Sequence, residues 1–226
     1  MYAHIKSSIS FLTATALFMA ISTATFAQEN RFSISFNSLT TNFNYGSLNK
    51  ELKSHKKDFK GLQIGASYQA AINPHFSLVP ELYFAMKGGI LKENNGLTNN
   101  RSTIRLYSVE MPVLARLHLH RFYLNAGPYA AYTLGGRLKL EGTEETPGSS
   151  TKLSFGTSPG EFKRWDAGVQ AGVGYNFKVK STHLTLDARY GYGFVTISND
   201  VKRYNRLLAI SLVVSKRPRN QTEKKG

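Results

Sequence analysis

The chain contains no cysteine at all. Disulfides, thiolate metal sites, cysteine nucleophiles and a lipidated N-terminal cysteine are therefore excluded together. Tryptophan occurs once and methionine four times, and charged residues make up only 19% of the 226 positions. Long apolar runs are also scarce. The longest uncharged apolar or small stretch, Ile9 to Ile21, falls short of the roughly 17–25 residues that a membrane-spanning helix needs. Glycine (19), tyrosine (12) and phenylalanine (14) are plentiful instead, a mixture that suits strands carrying aromatic surfaces better than a helical bundle. The length fits one domain.

Acidic residues are the other shortage: 14 against 29 Lys and Arg, a formal charge of +15. The bases gather in connections and in the tail rather than on one helix or stripe. This distribution favours anionic lipid headgroups or lipopolysaccharide over nucleic acid as the counter-charge.

Residues 1–27 read as a secretory signal peptide. Lys6 supplies early positive charge, an uncharged apolar segment follows, and Thr25 and Ala27 are small residues before Gln28. After Gln28 the pattern alternates with period 2, the mark of strands. Between 164 and 179, Trp165, Ala167, Val169, Ala171, Val173, Tyr175, Phe177 and Val179 share one face. Asp166, Gly168, Gln170, Gly172, Gly174, Asn176 and Lys178 share the other. Equivalent alternation predicts eight strands near 31–44, 59–72, 75–88, 103–119, 121–138, 164–179, 182–197 and 203–214. Tight connections near 73–75, 119–121 and 179–182 alternate with long polar ones near 45–58, 89–102 and 139–163.

An even number of strands with alternating short and long connections predicts an all-β fold, an eight-stranded antiparallel up-and-down transmembrane β-barrel spanning 28–214. Residues 215–226 are expected to form a basic, disordered tail. The runner-up is a soluble ligand-binding barrel with apolar residues inside. Charge placement separates the two. Glu81, Glu110, Arg116, Asp187 and Arg189 lie within strands on the glycine-bearing face. Facing lipid, a mid-strand Arg or Lys costs about 2–4 kcal/mol, whereas inside a narrow barrel such residues pair. They are expected to form a structural polar plug, because eight-stranded interiors are just wide enough for side chains to fill. Lys50, Lys53, Lys56, Lys57 and Lys60 are expected to form a basic outer loop region.

Several segments resemble PorT-like outer-membrane β-barrel proteins of the Bacteroidetes. These are Ser77 to Phe84 with Lys87-Gly88-Gly89, Tyr107 to Arg116 around Glu110-Met111-Pro112, and Phe122 to Tyr129 around Ala126-Gly127-Pro128. Asp166-Ala167-Gly168 to Gly174-Tyr175 and Asp187 to Phe194 resemble the closing hairpin of that family. The resemblance implies a cell outer-membrane location, contact with outer-membrane lipid and the barrel assembly machinery, and an association of some members with protein secretion. It implies no chemistry. Such barrels commonly end on an aromatic residue, whereas here Val214 runs on into Lys216-Arg217-Pro218-Arg219.

No catalytic, cofactor or metal site is expected. His118 and His120 share a strand face but lack a third ligand, and the many Gly-x-Gly spellings do not open a helix. His55, His75 and His183 look solvated. The expected role is a small, non-enzymatic integral outer-membrane protein with a structural or surface-interaction function. An accessory role in a secretion system is the alternative.

Overall fold

A computed structural model of the chain describes residues 30–142, 147–179 and 182–216. The expected signal peptide and nearly all of the expected basic tail lie outside them. Eight long strands are formed: β1 (Arg31–Asn44), β3 (Phe59–Asn73), β4 (Phe76–Leu91), β5 (Ser102–Leu119), β6 (Phe122–Leu140), β8 (Trp165–Val179), β9 (Thr182–Gly193) and β10 (Tyr204–Lys216). Two short strands, β2 (Lys56–Lys57) and β7 (Ser149–Lys152), pair on β4 and β6 above them.

Every neighbouring pair is antiparallel. The order β4-β3-β1-β10-β9-β8-β6-β5 is closed by pairing of β5 with β4. Closure leaves the long strands no unpaired edge, which is what a strand structure in hydrocarbon requires. The three tight connections lie at one end with the start of β1 and the end of β10. The four longer ones, at 45–58, 92–101, 141–164 and 194–203, lie at the other. In outer-membrane barrels the short turns face the periplasm, so the long connections are external.

The exposure pattern is the reverse of a soluble protein's. Leu62 is 65% exposed, Phe32 60% and Trp165 59%, while Glu110 and Asp187 are 1% and 0%. An outer surface of Leu, Ile, Val and Phe cannot be presented to water over a whole barrel, but it suits lipid. This excludes the soluble ligand-binding barrel. Aromatic residues mark both borders of the band. Tyr132 packs on Trp165 (5.1 Å) and Tyr192 on Phe194 (5.5 Å) at the external border, and Tyr175 packs on Phe122 and Phe177 (4.7 Å each) at the periplasmic one. Amphipathic rings settle at such interfaces.

Strand bounds follow the periodicity closely, but β4 runs on to Leu91 and β10 to Lys216, so that Ser215 and Lys216, expected in the disordered tail, pair within the wall. The seventh long strand stops at Gly193 instead of running to 197. Ile197 is drawn away from the wall into an apolar cluster above the lumen, where it is 1% exposed.

Candidate functional site

The lumen is the first candidate. Its polar residues come from the inward positions of every long strand, set by the same period that turns the apolar positions outward. In the periplasmic half, Arg189 on β9 reaches Glu81 on β4 with both terminal nitrogens, the Nη2–Oε1 contact measuring 3.0 Å. β9 and β4 are four strands apart in either direction around the wall, so this pair crosses the full lumen. The Arg189 Nε donates to Asp187 Oδ1 at 2.6 Å. The Tyr123 hydroxyl and the Asn125 amide donate to Asp187 Oδ2 at 2.6 and 3.1 Å. Tyr123 lies flat across its cross-strand partner Gly174, where a Cβ would sit 2.1 Å from the ring; only glycine leaves room for the hydroxyl to reach Asp187.

A second cluster lies above it. Lys87 on β4 donates to Glu110 Oε1 at 2.6 Å and to Asp166 Oδ2, on β8, at 3.2 Å. Gln63 donates to Glu110 Oε2 (2.9 Å), and Asn37 donates in turn to Gln63 (2.6 Å). Asp166 Oδ2 also accepts from the Tyr129 hydroxyl (3.2 Å) and the Asn205 amide (2.7 Å). Buried charges persist only when they are paired and hydrogen-bonded in this way.

Of the five residues expected in the plug, Glu81, Asp187 and Arg189 fall together in the lower cluster, and Glu110 falls in the upper one. Arg116 is also in the lumen but, among the described residues, joins no carboxylate. Its guanidinium lies 4.0 Å over the Tyr123 ring and donates to Gln69 at 3.2 Å. Lys87 and Asp166 were not among the expected residues. Both share the inward parity of Glu81 and Glu110, so the signal was present in the alternation.

The external mouth is the second candidate. Phe43, Tyr45, Leu52, Leu91, Ile104, Leu106, Phe162 and Ile197 form a buried apolar cluster, joined at its border by Leu48, Phe155 and Val201. The long connections therefore fold inward as a cap rather than standing as polar loops. Arg203 covers the cap from outside, 5.9 Å over Tyr45 and 5.6 Å over Phe162, and pairs with Asp200 at 2.9 Å. Burial pushes the Tyr45 hydroxyl up to about 12, against the opposing pull of Arg203.

The expected basic loop divides. Lys50, Lys53 and Lys57 are exposed on the β1–β3 connection, whereas Lys56 is half-buried and donates to Asn49 at 2.8 Å. Lys60 stands apart on the outward face of β3, bonded to Thr40 Oγ1 at 2.8 Å. His118 bonds Ser77 Oγ at 2.9 Å, and His120 occupies the β5–β6 turn with φ 62°. Among the described residues no group of three potential ligands could hold a metal ion.

With the closed wall, the apolar exterior and the filled lumen established, comparison with known families is decisive. Residues 26–199 match the family described as outer membrane protein beta-barrel domain. The chain belongs to this family. The chain also bears a weak likeness to several solved structures. Neisserial surface protein A (NspA) is 16% identical, with 82% of this chain and 96% of that chain covered and a TM-score of 0.44. Ail of Yersinia pestis is 13% identical over 82% and 99%, with a TM-score of 0.43. The N-terminal β-barrel domain of Pseudomonas aeruginosa OprF is 10% identical over 82% and 99%, with a TM-score of 0.30. At these values nothing about activity transfers. No curated protein matches the chain. As an outer-membrane barrel protein it resides in the cell outer membrane, and it is a small integral membrane protein.

Proposed function

We propose that this barrel is a non-enzymatic surface protein whose wall and plug are structural and whose external rim contacts anionic surface glycolipid, lipopolysaccharide included. The observation that carries the reading is the Arg189–Glu81 pair across the full lumen, with the Lys87 cluster and the apolar cap stacked above it. A lumen occupied at three successive levels suits anchoring and display rather than passage of solutes. The exposed Lys50, Lys53 and Lys57 supply charge at the outer surface, each worth about 1 kcal/mol toward an anionic surface. Export by a signal peptide cleaved after Ala27, followed by insertion through the barrel assembly machinery, completes the reading. N-terminal sequencing of the envelope form is expected to begin at Gln28.

Liposome swelling tests the central part. Vesicles carrying the folded protein are expected to swell in a small sugar no faster than protein-free vesicles, and rapid swelling contradicts the reading. A second role, as an accessory of protein secretion within the PorT-like group, rests on the five segments between Ser77 and Phe194 that resemble that group. Unchanged secretion in a deletion strain removes it.

A further inference from the structure

The outer wall carries a lipid-sized groove. It measures about 510 Å³ and opens on the lipid-facing side between β1, β3, β4 and β5. It is lined by Phe36, Leu62, Ile64, Phe84, Met86 and Tyr107, and it exists because the outward residue at its centre, Ser38, is small. Ser38 pairs with Leu62, Leu62 with Met86, and Met86 with Tyr107, so these positions form one row around the barrel.

The next row toward the outside is basic. Thr40 pairs with Lys60, Gly88 with Arg105, Arg105 with Arg137, and Arg137 with Lys152. Three cations therefore stand directly opposite one another on adjacent strands, an arrangement that is unfavourable by itself. Among the described residues, none of Lys60, Arg105, Arg137 and Lys152 lies in an ion pair with a carboxylate. Gly88 has no side chain to separate Arg105 from β3, and the Arg105 guanidinium leans over Phe59, 5.7 Å from its ring centroid, whereas the Lys60 ammonium turns the other way, to Thr40 on β1. Arg105 and its opposite neighbour Arg137 thus stand one row beyond the apolar groove at its Tyr107 edge. An anion between them would relieve the repulsion, and an acyl chain would fill the space below.

We infer that one phosphate-bearing, acylated lipid of the outer leaflet binds here, with a chain along the groove at Ser38 and its phosphate held by Arg105 and Arg137. The inference deepens the surface-glycolipid reading and rests on it, but it uses a different set of residues from the loop lysines.

Native mass spectrometry of the folded protein in a neutral-headgroup detergent tests it, with diphosphoryl lipid A as the probe and inositol hexakisphosphate as a tail-less anion. All variants lie on the surface, and heat-modifiable migration in gels reports their folding. A saturable one-to-one complex with lipid A is expected. Removing two charges with Arg105→Gln/Arg137→Gln is expected to weaken it roughly 25-fold, taking about 1 kcal/mol per charge. Ser38→Phe, which fills the groove, is expected to weaken lipid A several-fold without changing the response to inositol hexakisphosphate. Lys50→Gln/Lys53→Gln/Lys57→Gln is expected to leave the one-to-one complex intact. Loss of binding only in the loop-lysine variant overturns this site while the general surface reading survives. Equal binding of the tail-less anion, or indifference to Ser38→Phe, overturns it as a lipid site. Absence of any lipid complex in the wild-type chain overturns both readings.

Discussion

The lumen and the external cap are both buried, yet they are built from opposite materials. The lumen holds Glu81, Lys87, Glu110, Asp166, Asp187 and Arg189, none more than 6% exposed, and joins them by ion pairs and amide or hydroxyl donors. The cap, a short distance above, holds Phe43, Tyr45, Leu52, Phe162 and Ile197. The surroundings explain the contrast. The wall around the lumen is fixed by strand register and faces lipid outside; inward apolar residues such as Leu39, Val79 and Leu114 fill space between the ions, and polar partners across the barrel fix the cross-section. The cap stands in water, where connections fold inward only if they remove apolar surface from solvent. The lumen is therefore sensitive to loss of one charge, and the cap to loss of one volume.

The largest expected effect comes from breaking the trans-lumen pair. Arg189→Met leaves Glu81 and Asp187 buried without their cation, and such losses cost about 3–5 kcal/mol. The temperature at which the compact gel form disappears should fall markedly. Lys87→Met is expected to behave similarly, since Glu110 and Asp166 both depend on it. Arg116→Met serves as the contrast within the lumen. Among the described residues it joins no carboxylate, so its loss should lower the same transition much less; an equal drop would show that charge pairing is not what distinguishes these sites.

The cap should respond locally. Phe162→Ala removes a large buried ring, a change worth about 3–5 kcal/mol in a packed core. The strand residues in its cluster, Phe43, Leu91, Ile104 and Leu106, lie toward the external ends of β1, β4 and β5 and keep their ladder pairing, so faster proteolysis of 141–164 with little change in the barrel transition is expected. A fall in the barrel transition would mean that cap and wall form one cooperative unit.

A smaller effect separates the regions by pH. Tyr45 titrates near 12 in the folded cap, above its ordinary value of 10.0. A raised value means that its contribution is complete below pH 10 and is lost as pH rises from 10 toward 12. Proteolytic sensitivity of the cap should therefore rise over that range in the wild-type protein, and Tyr45→Phe should flatten the rise.

The contrast also explains what the sequence revealed. Alternation in a wall of fixed period assigns each residue to lipid or lumen, which is why Trp165, Val169 and Val173 and their neighbours Asp166 and Gln170 were legible without coordinates. Partner choice was less so: Lys87 and Asp166 meet because β4 and β8 face across a closed barrel, and closure is not a local property. The part of the cap borne by the connections was not legible at all. Leu52, Phe155 and Phe162 are isolated apolar residues within polar connections, and no period links them. The basic row Arg105–Arg137–Lys152 was hidden for the same reason, since it exists only once the register of β5, β6 and β7 is set.

The absence of cysteine makes the central claim, a wall with lipid outside and ions inside, directly measurable. A spin label on a single cysteine at Ile210, outward and mid-strand on β10, can be compared in proteoliposomes for collision with oxygen, which partitions into lipid, and with a water-soluble nickel chelate. Strong oxygen and weak nickel collision is the predicted result. Preferential access of the nickel chelate would place that face in water and contradict the assignment.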